Sequence, residues 1–217
     1  MDGPHLIYFS DPMCSWCWGF SSVISQVQKA FGRALPIRLV MGGLRPGTET
    51  EMTEEAWDQM KGYWAKVHEA AGVPFGDGGL PRTGFKYDTD PPAQAVVLMR
   101  REHEGLELAY LERLQRAFYA EGRDITDRDV QADLAAELGV ERETFRAGLE
   151  AEGLKPETWG DYALSQRAGV TGFPTLVAGP SAEGTYGVVT RGFAPADQVL
   201  DVLHGWLGTG PEAPVAH

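Results

Sequence analysis

Basic residues are scarce. The chain carries 19 Lys+Arg against 31 Asp+Glu, a net charge of -12, and no basic run longer than Arg100-Arg101. Such a surface repels phosphate backbones and anionic leaflets, so no nucleic acid and no membrane surface is expected among its partners. Small molecules and other proteins are the better partners. Long apolar runs are missing too: nothing in the sequence approaches the ~18 residues of a membrane span. There is no basic n-region and no apolar stretch of secretory length, since Met1-Asp2-Gly3-Pro4 leads straight into Leu6-Ile7-Tyr8-Phe9. The expected location is therefore the cytoplasm. No internal repeat or low-complexity tract is found. What remains is ordinary globular material, 217 residues with 43% hydrophobic and 23% charged, enough for a full core in one large domain or two small ones.

Hydrophobic spacing orders the elements. Leu6 to Ser10 reads as a buried strand stopped by Asp11-Pro12, followed by a helix with Val23, Ile24, Val27, Ala30 and Phe31 as its stripe and Gly32 as its stop. Ile37 to Met41 reads as a second strand ending at Gly42-Gly43, completing a β-α-β unit with parallel strands. From Met52 to about Ala168 the period is helical throughout. One helix spans Thr53 to Ala71, and a second has Asp90 as N-cap with Ala93, Val96 and Val97 inward. A third carries Leu111, Leu114 and Phe118. A fourth starts at Thr126 with Val130, Leu134 and Leu138 and closes at Gly139. Phe145 and Leu149 mark a fifth, and Pro156 opens a sixth containing Trp159 and Tyr162. The segment from Gly72 to Pro92 is long and irregular, a pattern common in binding loops and lids. Strand character returns at Phe173 to Ala178 and at Thr185 to Arg191, as a hairpin. Pro195 then opens a last helix with Val199, Leu200, Leu203, Trp206 and Leu207 inward, and the end of the chain reads as a frayed tail.

The only cysteines are set as Cys14-Ser15-Trp16-Cys17, directly after a predicted strand and at the opening of a predicted helix. A helix start exposes unpaired N–H groups and the positive end of the helix dipole, both of which favour a thiolate. The spacing lets Cys17 reach the sulfur of Cys14 and close a small disulfide, so the pair can exchange two electrons through a mixed disulfide. Two inert buried cysteines or half a zinc site are the competing readings. The zinc reading lacks ligands, because His5, His68, His103, His204 and His217 show no paired spacing. Asp124, Asp127 and Asp129 read as charges complementing a helix start rather than as a metal site, and Arg45 as a solvated loop residue. No metal or cofactor is expected. In Gly169-Val170-Thr171-Gly172-Phe173-Pro174-Thr175, a proline stands at the mouth of a strand, where it removes a ladder donor.

Taken together, the Cys-x-x-C pair and this proline resemble the thioredoxin superfamily, and within it the DsbA-like branch. Asp11-Pro12-Met13-Cys14-Ser15-Trp16-Cys17-Trp18-Gly19 and Gly42-Gly43-Leu44-Arg45-Pro46-Gly47 are similar to the FrnE-like and predicted protein-disulfide-isomerase members. The resemblance implies an α/β thioredoxin-like fold interrupted by an all-helical insertion. The thioredoxin-like part would be residues 1–48 and 169–208, the insertion 49–168, and the flexible tail 209–217. It further implies that Cys14 is the exposed nucleophile, Cys17 the buried resolving thiol and Pro174 a cis-proline packed against them. Phe173 would pair with an extended substrate segment, and Trp16 and Trp18 would form an apolar groove for it, unless Trp18 and Phe20 are simply core.

The sequence also departs from that family. Tyr8 stands where a buried acid often lies, six positions before the first cysteine, so Asp11 or water would have to serve the resolving thiol. Trp16 occupies the place of the histidine in the DsbA motif, and no second cysteine pair exists. The expected activity is a thiol–disulfide oxidoreductase that reduces or isomerises disulfides of unfolded or disulfide-bearing protein clients. Glutathione or a thioredoxin-type reductant would supply its electrons. A glutathione-dependent isomerase or transferase of the kappa-class or chromene-carboxylate type is the alternative, although those typically carry serine at the first position. A non-catalytic protein-binding module is the third.

Overall fold

The computed structural model describes residues 3–76, 83–181 and 183–208. The predicted tail at 209–217 and the middle of the irregular 72–92 segment lie outside the described residues. β1 (His5–Ser10) leads into α1 (Ser15–Phe31), a short 3-10 turn (Gly32–Ala34) and β2 (Ile37–Met41). Six helices follow: α2 (Glu54–Ala71), α3 (Asp90–Glu102), α4 (Glu107–Tyr119), α5 (Arg128–Ala136), α6 (Arg142–Gly148) and α7 (Leu154–Arg167). β3 (Thr175–Gly179), β4 (Gly187–Arg191) and α8 (Ala196–Gly208) complete the described residues.

The four strands form one sheet in the order β2-β1-β3-β4. β1 and β2 are parallel, in the register Tyr8 to Leu39 and Ser10 to Met41, whereas β3 runs antiparallel to both β1 and β4. This is an α/β thioredoxin fold with a helical insertion between β2 and β3. β1 is buried along almost its whole length between β2 and β3, and α3 and α7 pack on the neighbouring β2. α1 packs against α2, α4 and α8, so the helix that opens with the cysteines is held by the insertion as well as by the last helix.

Several helix ends differ from the sequence reading. α3 is capped by Thr89, and Asp90 is its first residue, buried and accepting hydrogen bonds from the Tyr162 hydroxyl (2.9 Å) and the Trp159 indole (3.2 Å). Two prolines after Asp90 fit the first helical turn, and the helix begins one residue earlier than it would with Asp90 as its cap. α5 begins at Arg128, with Asp127 as the cap accepting from Asp129 N–H, and α7 begins two residues before Pro156. Ala30 is exposed on α1, and Leu207, at 40% exposure, faces away from the core where Val199, Leu203 and Trp206 are buried.

Candidate active site

Both cysteines are thiols in this structure. The turn Asp11-Pro12-Met13 lifts the chain from the end of β1 to the start of α1, and Cys14 is the N-cap of that helix. Its sulfur accepts a hydrogen bond from Cys17 N–H (3.4 Å) and donates one to the Phe173 carbonyl (3.5 Å). The Phe173–Pro174 peptide bond is cis, and the Pro174 carbonyl accepts from Gly192 N–H (2.7 Å). The two halves of the chain thus meet at the Cys14 sulfur.

Cys17 is fully buried and Cys14 is 6% exposed, so the first cysteine is the more accessible of the two but is not the openly exposed group that the sequence reading expected. The N-cap position tucks its sulfur between an amide and a carbonyl. Burial pushes the Cys17 thiol well above its ordinary range, and the neighbouring Cys14 adds to this. The Ser10 hydroxyl and the backbone of Asp11 pull the other way.

Asp11 has no exposed surface. Its carboxylate accepts from Met13 N–H and Leu44 N–H, both at 2.9 Å, and so pins the turn before Cys14 to the loop after β2. Burial raises its pKa to about 6, with the two backbone donors opposing the rise. The Tyr87 hydroxyl, from the α2–α3 segment, donates to the Met13 carbonyl and lies 3.3 Å from the Tyr119 hydroxyl of α4. The Gln115 amide of α4 reaches the Asp11 carbonyl (3.4 Å). The cysteine turn is therefore buttressed by the helical insertion as well as by the loop after β2. Local sequence carries no sign of Tyr87 or Gln115 at this site, because each lies tens of residues from the cysteines, whereas Leu44 falls in the Gly42–Gly47 stretch already singled out.

Gly42 and Gly43 have a spatial reason. A side chain on Gly42 would overlap the Phe173 ring, and Gly43 (φ 74°) faces the Tyr162 ring, where a Cβ would come within 2.8 Å. Arg45 is exposed, with its guanidinium 5.6 Å from the centre of the Tyr87 ring. Trp16 is half-buried against Phe193, ring centres 6.0 Å apart. Trp18 offers no groove wall. It is 4% exposed, and its indole donates to the Pro74 carbonyl (3.0 Å), a core position set by the helical period that points it away from Trp16. Phe20 is wholly buried. Asp124 accepts from Thr126, and Asp129 pairs with Arg142 and Arg146. Among the described residues no group of three or more His, Cys, Asp or Glu side chains is placed to hold a metal ion.

A Cys-x-x-Cys at the first turn of α1, facing the carbonyl of a residue that precedes a proline at a strand mouth, defines a thioredoxin-fold dithiol protein. More narrowly, the chain belongs to the DSBA-like thioredoxin domain family, which matches residues 5–203. Among solved structures it is similar to a candidate protein disulfide isomerase from Nitrosomonas europaea, 30% identical, TM-score 0.86, covering 96% of this chain and 99% of that one. It is also similar to the cytosolic disulfide reductase DsbM from Pseudomonas aeruginosa, 28% identical, TM-score 0.80, covering 95% and 100% of the two chains. That protein has also been solved with GSH. A curated relative is the ClpXP adapter protein SpxH of Bacillus subtilis, 22% identical, covering 94% of this chain and 68% of the relative. No helix among the described residues is long and apolar enough to cross a membrane.

Proposed function

We propose that this protein is a cytoplasmic thiol–disulfide oxidoreductase that reduces or isomerises protein disulfides. One observation carries the reading: the Cys14 sulfur sits between the Cys17 amide and the Phe173 carbonyl, with Cys17 directly behind it. The Cys14 thiolate attacks one sulfur of a client disulfide, forming a mixed disulfide and releasing the other client sulfur as a thiolate. The Cys17 thiolate then attacks the Cys14 sulfur and expels the second client thiolate. Two electrons pass to the client, and the Cys14–Cys17 pair is left as a disulfide. Glutathione or a thioredoxin-type dithiol returns it to the reduced form. Phe173, Pro174 and Trp16 form the surface on which an extended client segment lies, the Phe173 backbone acting in strand addition. Similarity to a disulfide reductase described as cytosolic, and solved with GSH, supports both the direction and the location.

The test is turnover of a protein disulfide with glutathione as electron source. Cys14→Ser is expected to abolish it, and Cys17→Ser to accumulate a mixed disulfide detectable by mass. Full activity in Cys14→Ser would sink the proposal. The adapter relatives favour a second reading, a partner-binding module, for which partner affinity would be unchanged when both thiols are replaced.

A further inference from the structure

Cys17 has no exposed surface, and burial holds it as a thiol. To resolve a mixed disulfide it must first lose a proton. The titratable groups that face it are Tyr8 from β1 and Cys14 from the start of α1. Asp11 presents only its backbone, because its carboxylate is turned to Met13 and Leu44. Tyr87 and Tyr119 lie on the Cys14 side of the pair. The acceptor that the sequence reading sought in Asp11 is therefore elsewhere.

Two hydroxyls stand at that position. Ser10 Oγ and Tyr8 Oη, both buried, are hydrogen-bonded at 3.1 Å, and both interact with the Cys17 thiol. Tyr8 also lines a cavity of about 190 Å³ between α1 and α4. Its polar lining includes Ser21, Ser25, Gln28, Gln115 and Glu112. A space of that size and polarity suits a few water molecules, each needing about 30 Å³ and two or more polar partners.

We propose that the Ser10–Tyr8 hydroxyl pair relays the proton of the resolving thiol to water in the α1/α4 cavity. In the step, the Cys17 S–H bond breaks and its proton passes to Ser10 Oγ. The Ser10 proton moves to Tyr8 Oη, and the Tyr8 proton moves to a cavity water. Ser10 and Tyr8 end unchanged, the water carries one proton out along the α4 side past Glu112, and no electrons move. The thiolate left on Cys17 then forms the bond to Cys14 Sγ as the Cys14–client bond breaks, and the released client thiolate takes a proton from solvent. Ser10 and Tyr8 are thus positioning and proton-transfer residues for the dithiol chemistry proposed above, and the inference rests on that reading.

The two half-reactions can be separated with an aromatic disulfide reagent that releases a coloured thiolate, DTNB, mixed with the reduced protein in a stopped-flow instrument. The first equivalent of thiolate reports attack by Cys14 and the second reports resolution by Cys17. At neutral pH, Tyr8→Phe and Ser10→Ala are expected to slow the second phase about tenfold or more, the size of effect a positioned proton acceptor supplies. The first phase should stay near the wild-type rate. The pH midpoint of the second phase should move up, the difference should close in strong alkali where hydroxide takes the proton directly, and Ser10→Thr should restore the rate. A slower second phase in heavy water for the unaltered protein, with the first phase little affected, gives the same answer without any variant. Equal slowing of both phases, or a second phase insensitive to the variants and to heavy water, overturns the relay while leaving the dithiol reading intact. Absence of the first phase in the wild-type protein overturns both.

Discussion

Asp11 couples the site to stability through its charge. Its carboxyl has no contact with solvent, and its pKa is raised to about 6 in the folded state from an ordinary 3.8. Between those values the folded state holds a proton that the unfolded state has released. The stability this supplies is therefore present in full below about pH 4 and is lost as pH rises through about 6. A rise of about two units corresponds to about 3 kcal/mol. Asp11→Asn removes the titration while keeping one acceptor for the two backbone donors. In urea unfolding of the reduced protein, wild type is expected to gain about 3 kcal/mol on the variant as pH falls from about 7 to about 4. Parallel pH profiles for the two proteins would refute the assignment. At this scale the sequence disclosed the cysteine pair but not its surroundings. Cys14, Cys17 and Pro174 announce themselves by type and spacing, whereas Tyr87 and Gln115 arrive through folding alone. Tyr8 and Ser10 lie between these extremes. Two residues apart on a strand, they share a face by the pleat, and that face is the one on which the helix after Asp11 lays its cysteines.

The elements were legible where the apolar period is strong and less so at their ends. The stripes of α1, α4 and α8 placed those helices because burial repeats every three to four residues along them. The start of α3 escaped because the deciding partner of Asp90 is Tyr162, seventy-two residues away on α7, and no local rule contains it. The same long range governs how the insertion grips the sheet. β2 is an edge strand, so alternate backbone groups lack a neighbouring strand. Met41 N–H donates to Asp161 Oδ2 on α7 (2.9 Å), and the Leu39 carbonyl accepts from Arg100 of α3 (2.8 Å). Arg100 and Asp161 are themselves paired at 2.7 Å. The two side chains finish the sheet edge in place of a fifth strand. Removing the acid leaves a buried amide without its acceptor and a partly buried guanidinium without its counter-charge. Asp161→Ala is therefore expected to cost about 2–3 kcal/mol in urea unfolding, the Arg100 side chain being 25% exposed and so partly screened. By contrast, Arg142 on α6 pairs with Asp133 across an exposed surface, and Arg142→Ala should cost under about 1 kcal/mol. Equal losses in the two variants would contradict the edge-closing role.

The whole molecule carries a net charge of -12, and that field acts on any approaching chain before contact is made. The Cys14 sulfur lies where β1, α1, the loop after β2 and the segment before β3 converge, so under the proposed function a client disulfide has to be brought to one narrow place. Excess negative charge slows the approach of acidic chains and speeds that of basic ones. The effect falls as salt shortens the screening length, from about 10 Å at 0.1 M to about 3 Å at 1 M. The exposed Arg45 beside Tyr87 contributes one positive charge and cannot offset a field of that size at long range. Two peptides with one identical disulfide core, flanked either by lysines or by glutamates, separate this from contact specificity. The lysine peptide is expected to react with Cys14 several-fold faster at low salt, with the two rates converging toward each other near 1 M salt, because only the encounter rate depends on the distant charges. A preference of constant size at every salt concentration would place discrimination in the contact surface around Trp16 and Phe173 instead, and equal rates at low salt would mean that the field does not reach the site at all.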